Sequence, residues 1–117
     1  MSNQMRGPEI LVGEQLNAVT FVMDYVQVHF NGPTLTFLVP VYVRVPEHQL
    51  VFPGPGGRDA LCELIGAEVA SVQANDDIID VEFRDGRRLR APLAEEHRSG
   101  PEAAHFQERL NGPVMVW

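Results

Sequence analysis

No lysine occurs anywhere in this 117-residue chain; all nine basic side chains are arginine. Neither residue is the better one on a solvated face, so the bias is a coding signature of the kind a GC-rich bacterial genome leaves. Cysteine is nearly as scarce. Cys62 stands alone and cannot form an internal disulfide, which suits a reducing cytoplasm. Long apolar runs are missing too. The most apolar stretch, residues 35–45, is interrupted by Pro40 and Arg44 and falls far short of the ~20 residues a membrane-spanning helix requires. The opening MSNQMRGPEILVGEQ lacks the charged start, apolar core and cleavage site of a secretory signal. A cytoplasmic location without membrane association is therefore expected. Sixteen Asp and Glu outnumber the arginines and give a formal net charge of −7. That sign repels a phosphate backbone, so nucleic acid is not an expected partner.

What remains is an ordinary globular composition. Hydrophobic residues make up 44% and charged ones 21%, which excludes a disordered chain or a disulfide scaffold. One domain spanning 1–117 is expected, long enough to bury roughly two-thirds of its unfolded surface without a metal.

The organising feature is an internal similarity. LVGEQLNAVTFVMDYVQVHFNGPTL, from Leu11, aligns with LIGAEVASVQANDDIIDVEFRDGRRL, from Leu64. At a constant offset of 53 residues Gly13 meets Gly66, Leu16 meets Val69, Val19 meets Val72 and Asp24 meets Asp77. Val26, Val28 and Phe30 then meet Ile79, Val81 and Phe83; one extra turn residue sets Gly32 against Gly86 and Leu35 against Leu89. Turn glycines and apolar residues at period two are the positions that β geometry selects. Two copies are too few for a solenoid, so the expected product is one pseudo-symmetric domain with halves at about 11–45 and 64–92.

Each half reads as a three-stranded antiparallel meander, residues 14–45 and 67–92. Val26, Val28 and Phe30 point one way; Tyr25, Gln27 and His29 point the other. Asn31-Gly32 supplies the positive φ of a hairpin turn, and Arg84-Asp85-Gly86 makes the second turn. Along 35–45 the odd residues Leu35, Phe37, Val39, Val41, Val43 and Val45 share a face. Pro40 has no N–H, so this strand should lie at an edge or break there. A helix is expected over 58–65 after the loop PGPGGRD, with Ala60, Leu61, Leu64 and Ile65 on one flank and Gly66 closing it. A second is expected over 101–110: Ser99-Gly100-Pro101-Glu102 reads as a capping box, Ala103, Phe106 and Leu110 repeat at helical spacing, and Gly112-Pro113 stops it. Residues 114–117 suit a terminal strand whose Trp117 covers the core. The fold class is thus α+β: mainly antiparallel sheet, two related meanders, two short helices and a C-terminal strand.

Chemistry-bearing motifs are sparse. PGPGGRD has glycines before a helix start but lacks the Gly-Lys-Ser/Thr ending of a phosphate loop, and reads as a rigid connector. The tract holding Glu95, Glu96, His97, Glu102 and His105 has no metal-ligand spacing. Cys62 reads as semi-buried helix packing, and no serine stands in a nucleophile elbow. No catalytic residue, cofactor or metal is expected, and an enzyme is not the favoured reading. Arg84, Arg87, Arg88 and Arg90 follow the acidic stretch 57–83, whose balance is −6, and read as cross-strand pairing partners.

The binding candidates are Tyr25, Gln27 and His29 on one sheet face, Leu38 and Tyr42 on the less apolar side of residues 35–45, and Asp80 and Glu82 in the acidic stretch. A long β-branched strand is an aggregation hazard unless paired, so a protein partner or self-association through an exposed sheet face or edge is expected.

The Leu-x-Gly at Leu11, then Asp24-Tyr25-Val26 with Phe30, Gly32 and Leu35, resembles small bacterial domains of unknown function. In these a second Leu-x-Gly-x-x-Val element, here residues 64–69, precedes another hairpin and the chain ends near a Trp. The resemblance spans most of the chain through folding residues and implies no catalytic residue. Small acidic bacterial domains of this size include toxin-neutralising immunity proteins, which makes that role an alternative, as is a small hydrolase with an unrecognised site.

Overall fold

The computed structural model describes residues 7–23 and 25–117; Asp24, and the match it makes with Asp77, lie outside the described residues. The strands are β1 (Ala18–Val22), β2 (Tyr25–His29), β3 (Thr34–Phe37), β4 (Val41–Val45), β5 (His48–Phe52), β6 (Val69–Ala74), β7 (Ile78–Phe83), β8 (Arg88–Pro92), β9 (Ala104–Gln107) and β10 (Val114–Val116). One α-helix, α1 (Gly57–Glu63), and 3-10 turns at Pro8–Leu11 and Glu95–His97 complete the described elements. The architecture is mostly antiparallel β in two five-stranded sheets, ordered β1-β2-β3-β9-β10 and β5-β4-β8-β7-β6.

Period-two alternation decides which side chains meet. Val26, Val28, Leu35, Phe37 and Phe106 from the first sheet and Val41, Val43, Ile79, Val81 and Leu89 from the second belong to one buried apolar cluster. Phe37, Phe83 and Phe106 are its largest fully buried side chains, each contributing about 1.5–3 kcal/mol of burial free energy. Ala60, Leu61 and Leu64 close one side from α1 and the residue after it, while Ile65 is exposed. Trp117 is partly buried against the same cluster.

Corresponding strands share registers. Val19 faces Val28 and Val28 faces Leu35 in the first sheet; Val72 faces Val81 and Val81 faces Leu89 in the second. Between the sheets Gln15 and Glu68 form an isolated antiparallel bridge. Gly13 N–H donates to Val69 O (2.9 Å) and Gly66 N–H to Leu16 O (2.7 Å). The adjacent bonds run from Leu16 N–H to Ala67 O (3.0 Å) and from Val69 N–H to Glu14 O (2.9 Å). Gly13 and Gly66 both hold positive φ, +90° and +97°, a region an L side chain enters only at a cost.

Three expectations need correction. Residues 101–110 are not a helix: Ala104–Gln107 is strand β9, hydrogen-bonded between β3 and β10. Its two buried side chains, Ala104 and Phe106, are spaced at two, and Leu110, the last member of the helical pattern, is exposed. Only one of the two expected helices therefore forms. Residues 35–45 do break around Pro40, as one of the two outcomes expected of it: the strand stops at residues 38–40, and β3 and β4 enter different sheets. Neither is an edge, because β3 lies between β2 and β9 and β4 between β5 and β8. Cys62 is exposed rather than semi-buried, since α1 turns Ala60 and Leu61 inward and leaves Cys62 toward solvent. No described helix is long and apolar enough to cross a membrane.

Candidate functional site

The outer face of the first sheet is an uncharged polar array. Thr20, Gln27, Thr36 and His105 stand in one row across β1, β2, β3 and β9, and His29, Thr34 and Gln107 in the next. His29 bridges strands: its Nε2 lies 2.9 Å from Thr20 Oγ1 and its Nδ1 3.2 Å from Thr34 Oγ1. Gln27 Nε2 donates to Thr36 Oγ1 at 3.2 Å. His105 Nε2 sits 2.7 Å from Glu102 Oε1. Glu102 and His105 thus meet as a loop residue above a strand, not on a shared helix face. Thr36 is engaged by Gln27, and the His29 imidazole is held between the hydroxyls of Thr20 and Thr34. Tyr25, at the start of β2, is half-buried.

The outer face of the second sheet has the same register but opposite chemistry. Asp80 and Glu82 on β7 face Arg90 and Arg88 on β8. Arg88 Nη1 donates to Asp80 Oδ2 at 2.9 Å, Arg88 Nη2 lies 3.4 Å from Glu82 Oε1, and Arg90 Nε lies 3.5 Å from Asp80 Oδ2. Ser71 Oγ donates to Glu82 Oε1 at 3.2 Å. Asp80 is only 5% exposed, and its Oδ1 has no hydrogen-bond partner. The acidic stretch is therefore not a uniform patch: β8 neutralises its β7 carboxylates, and Asp76 and Asp77 remain exposed in the turn.

The sequence candidates consequently divide. Gln27 and His29 come together with Tyr25 on one sheet, and Asp80, Glu82 and Tyr42 lie on the other. Leu38 is in the crossing segment, lining a concavity of about 210 Å³ with Val39, Pro40, Pro53, His97 and Arg98. Tyr42 lines a separate one of about 290 Å³ beside Gln49, Arg90 and His97. The PGPGGRD loop turns back on itself, Gly57 N–H donating to Gly54 O at 3.1 Å, and packs closely on β5. A Cβ on Gly57 would collide with the Val51 carbonyl. Arg58 from this loop lies over Phe21 and Phe52, 5.2 and 5.8 Å from the ring centroids. Among the described residues no group of three His, Cys, Asp or Glu side chains converges to hold a metal.

Sequence reasoning missed the outer edge of the first sheet. Of the six exposed large apolar residues among those described, three belong to the β9–β10 hairpin: Leu110 at 86%, Val114 at 43% and Val116 at 49% exposure. The signal lay in the tetrapeptide after Gly112-Pro113, Val-Met-Val-Trp, which carries no charged side chain to guard an edge. Compared with known protein families, curated proteins and solved structures, the chain matches none.

Proposed function

We propose that this chain is a non-enzymatic protein-interaction module that pairs through the open edge of β10. One observation carries the reading: β10 is an outermost strand, and among the described residues nothing covers the three exposed apolar side chains of its hairpin. Other edges carry safeguards. β6 has a register irregularity between Val69 and Ser71, β5 begins with exposed His48 and Gln49, and Phe21 of β1 lies under Arg58. Such unguarded edges recruit a further strand, and pairing with a second copy places Val114 and Val116 against their equivalents around a two-fold axis.

The same reading takes residues 1–117 as one domain, acting in the cytoplasm and built from two duplicated halves. The matching strand registers and the Gln15–Glu68 bridge, between positions 53 apart, support the duplication. The hairpin that runs on from each half then joins the other's sheet: β4–β5 joins β6–β8, and β9–β10 joins β1–β3. A toxin-neutralising role fits the same module if the second strand comes from a foreign basic protein, with exposed Asp76 and Asp77 as the steering charges.

Sedimentation velocity over a wide concentration range tests the proposal. Self-association that Val116→Lys abolishes, without loss of thermal stability, is expected. A chain that stays monomeric at millimolar concentration, and whose capture of partners from cell extract is unchanged by Val116→Lys, would overturn it.

A further inference from the structure

Arg90 has guanidinium donors to spare. Its Nε lies 3.5 Å from Asp80 Oδ2, and neither terminal nitrogen has an acceptor among the described residues. The side chain lines a concavity of about 290 Å³ with Tyr42, Gln49, Ile78, Pro92 and His97. Tyr42 faces Arg90 across the β4–β8 pair, and Ile78 faces Pro92 across β7–β8. The Tyr42 hydroxyl and the Gln49 carboxamide make no hydrogen bond among the described residues. His97 Nε2 stands 4.0 Å from Glu96 Oε2, beyond hydrogen-bonding reach.

We infer that this concavity binds a carboxylate carried on an apolar body. No Asp or Glu lines its wall. The five strands of the second sheet carry three arginines against two carboxylates, in a chain of net charge −7, so the local field favours an anion. Asp80, only 5% exposed, stays out of the wall and engages Arg90 through Nε alone. The two terminal nitrogens are thereby left as a fork that matches the paired oxygens of a carboxylate. Tyr42 O–H and the Gln49 amide add donors, while Ile78, Pro92 and the Tyr42 ring supply apolar surface. A phosphate dianion would find one guanidinium and an apolar floor, a poorer match. The carboxylate arrives either on a free organic acid or as the C-terminus of a protein ending in an apolar residue. The site belongs to the second sheet, whereas β10 is in the first, so the two proposals stand or fall separately.

The test is NMR titration of the full-length protein with benzoate at constant pH and ionic strength, with benzamide as the uncharged control. Saturable shifts centred on Tyr42, Gln49, Ile78 and Arg90 with benzoate alone are expected. Arg90→Gln should weaken binding at least about tenfold, and Arg90→Lys, which keeps the charge without the fork, should recover only part. Should Arg90→Gln unfold, Tyr42→Phe combined with Gln49→Leu removes two donors and should weaken binding about tenfold. An acetylated tripeptide ending in leucine, titrated with a free and with an amidated C-terminus, separates the two sources. Tighter binding of the free peptide than of benzoate marks a protein C-terminus, and tighter benzoate a free acid. Equal response to benzamide, tighter binding of inorganic phosphate, binding that survives Arg90→Gln unchanged, or no saturable response would overturn the inference.

Discussion

Arg87 closes onto Asp85 within the β7–β8 turn, its Nη2 2.7 Å and its Nε 3.0 Å from Asp85 Oδ2. Asp85 Oδ1 also accepts the backbone N–H of Arg87 at 3.0 Å. The same guanidinium reaches across to Glu63 O at 3.0 Å, so the turn is tied to the end of α1.

The side-chain hydrogen bond from Arg87 holds the Asp85 carboxyl below the usual carboxylate range, and the reciprocal bond raises the Arg87 guanidinium. A lowered carboxyl stabilises the fold above its unfolded pKa, and that contribution is lost as pH falls through the lowered folded value. Asp85→Asn should therefore lower stability at neutral pH by no more than about 1 kcal/mol, because the pair is solvent-screened. Thermal melts of both proteins from neutral to acid pH should converge at the acid end.

Gly13→Ala and Gly66→Ala should each cost about 1 kcal/mol. Neither position has an atom within 4 Å of the added Cβ, so the penalty is backbone strain alone and the two should match. Gly57→Ala should be worse, since its Cβ meets the Val51 carbonyl, at about 1–3 kcal/mol. Urea unfolding of the three variants gives the ranking.

Phe106→Ala should remove about 3–5 kcal/mol, because Phe106 is fully buried between the sheets. Leu110→Ala should be nearly silent in the same denaturation assay, as Leu110 is 86% exposed. A helix over 101–110 would have made both costly.

That pair of residues marks the limit of what the sequence alone discloses. Ala103, Phe106 and Leu110 fit a helical spacing, while Ala104 and Phe106 fit a strand, and the sequence signals at Ser99–Glu102 and Gly112-Pro113 favour the first. What decides for strand is β3, some seventy positions earlier in the chain, whose Leu35 faces Phe106. Local pattern carries no record of that partner. The alternation along 35–45 correctly identifies the inward residues, yet it cannot reveal that Pro40 hands the chain from one sheet to the other. Within the candidate site, Asp80 was visible as a carboxylate beside an arginine tract. Its burial depends on Arg88 and Arg90 folding back across the β7–β8 register, which only the paired strands disclose.

Arg58→Ala should lower stability by about 0.5–1 kcal/mol through loss of its contacts with Phe21 and Phe52. Arg58→Lys should recover only part of this, because an ammonium lacks the flat guanidinium face. Chemical denaturation of the two variants distinguishes the contributions of charge and stacking.

The ribosome delivers β3 long before it delivers β9. Until residues 104–107 emerge, Thr34–Phe37 has β2 on one side only, and its inner side chains, Leu35 and Phe37, wait for Phe106. The nascent chain thus carries a provisional edge in the middle of its future sheet, open to any other strand that arrives first. A premature stop before residue 104 would yield an adhesive product rather than a shortened working protein.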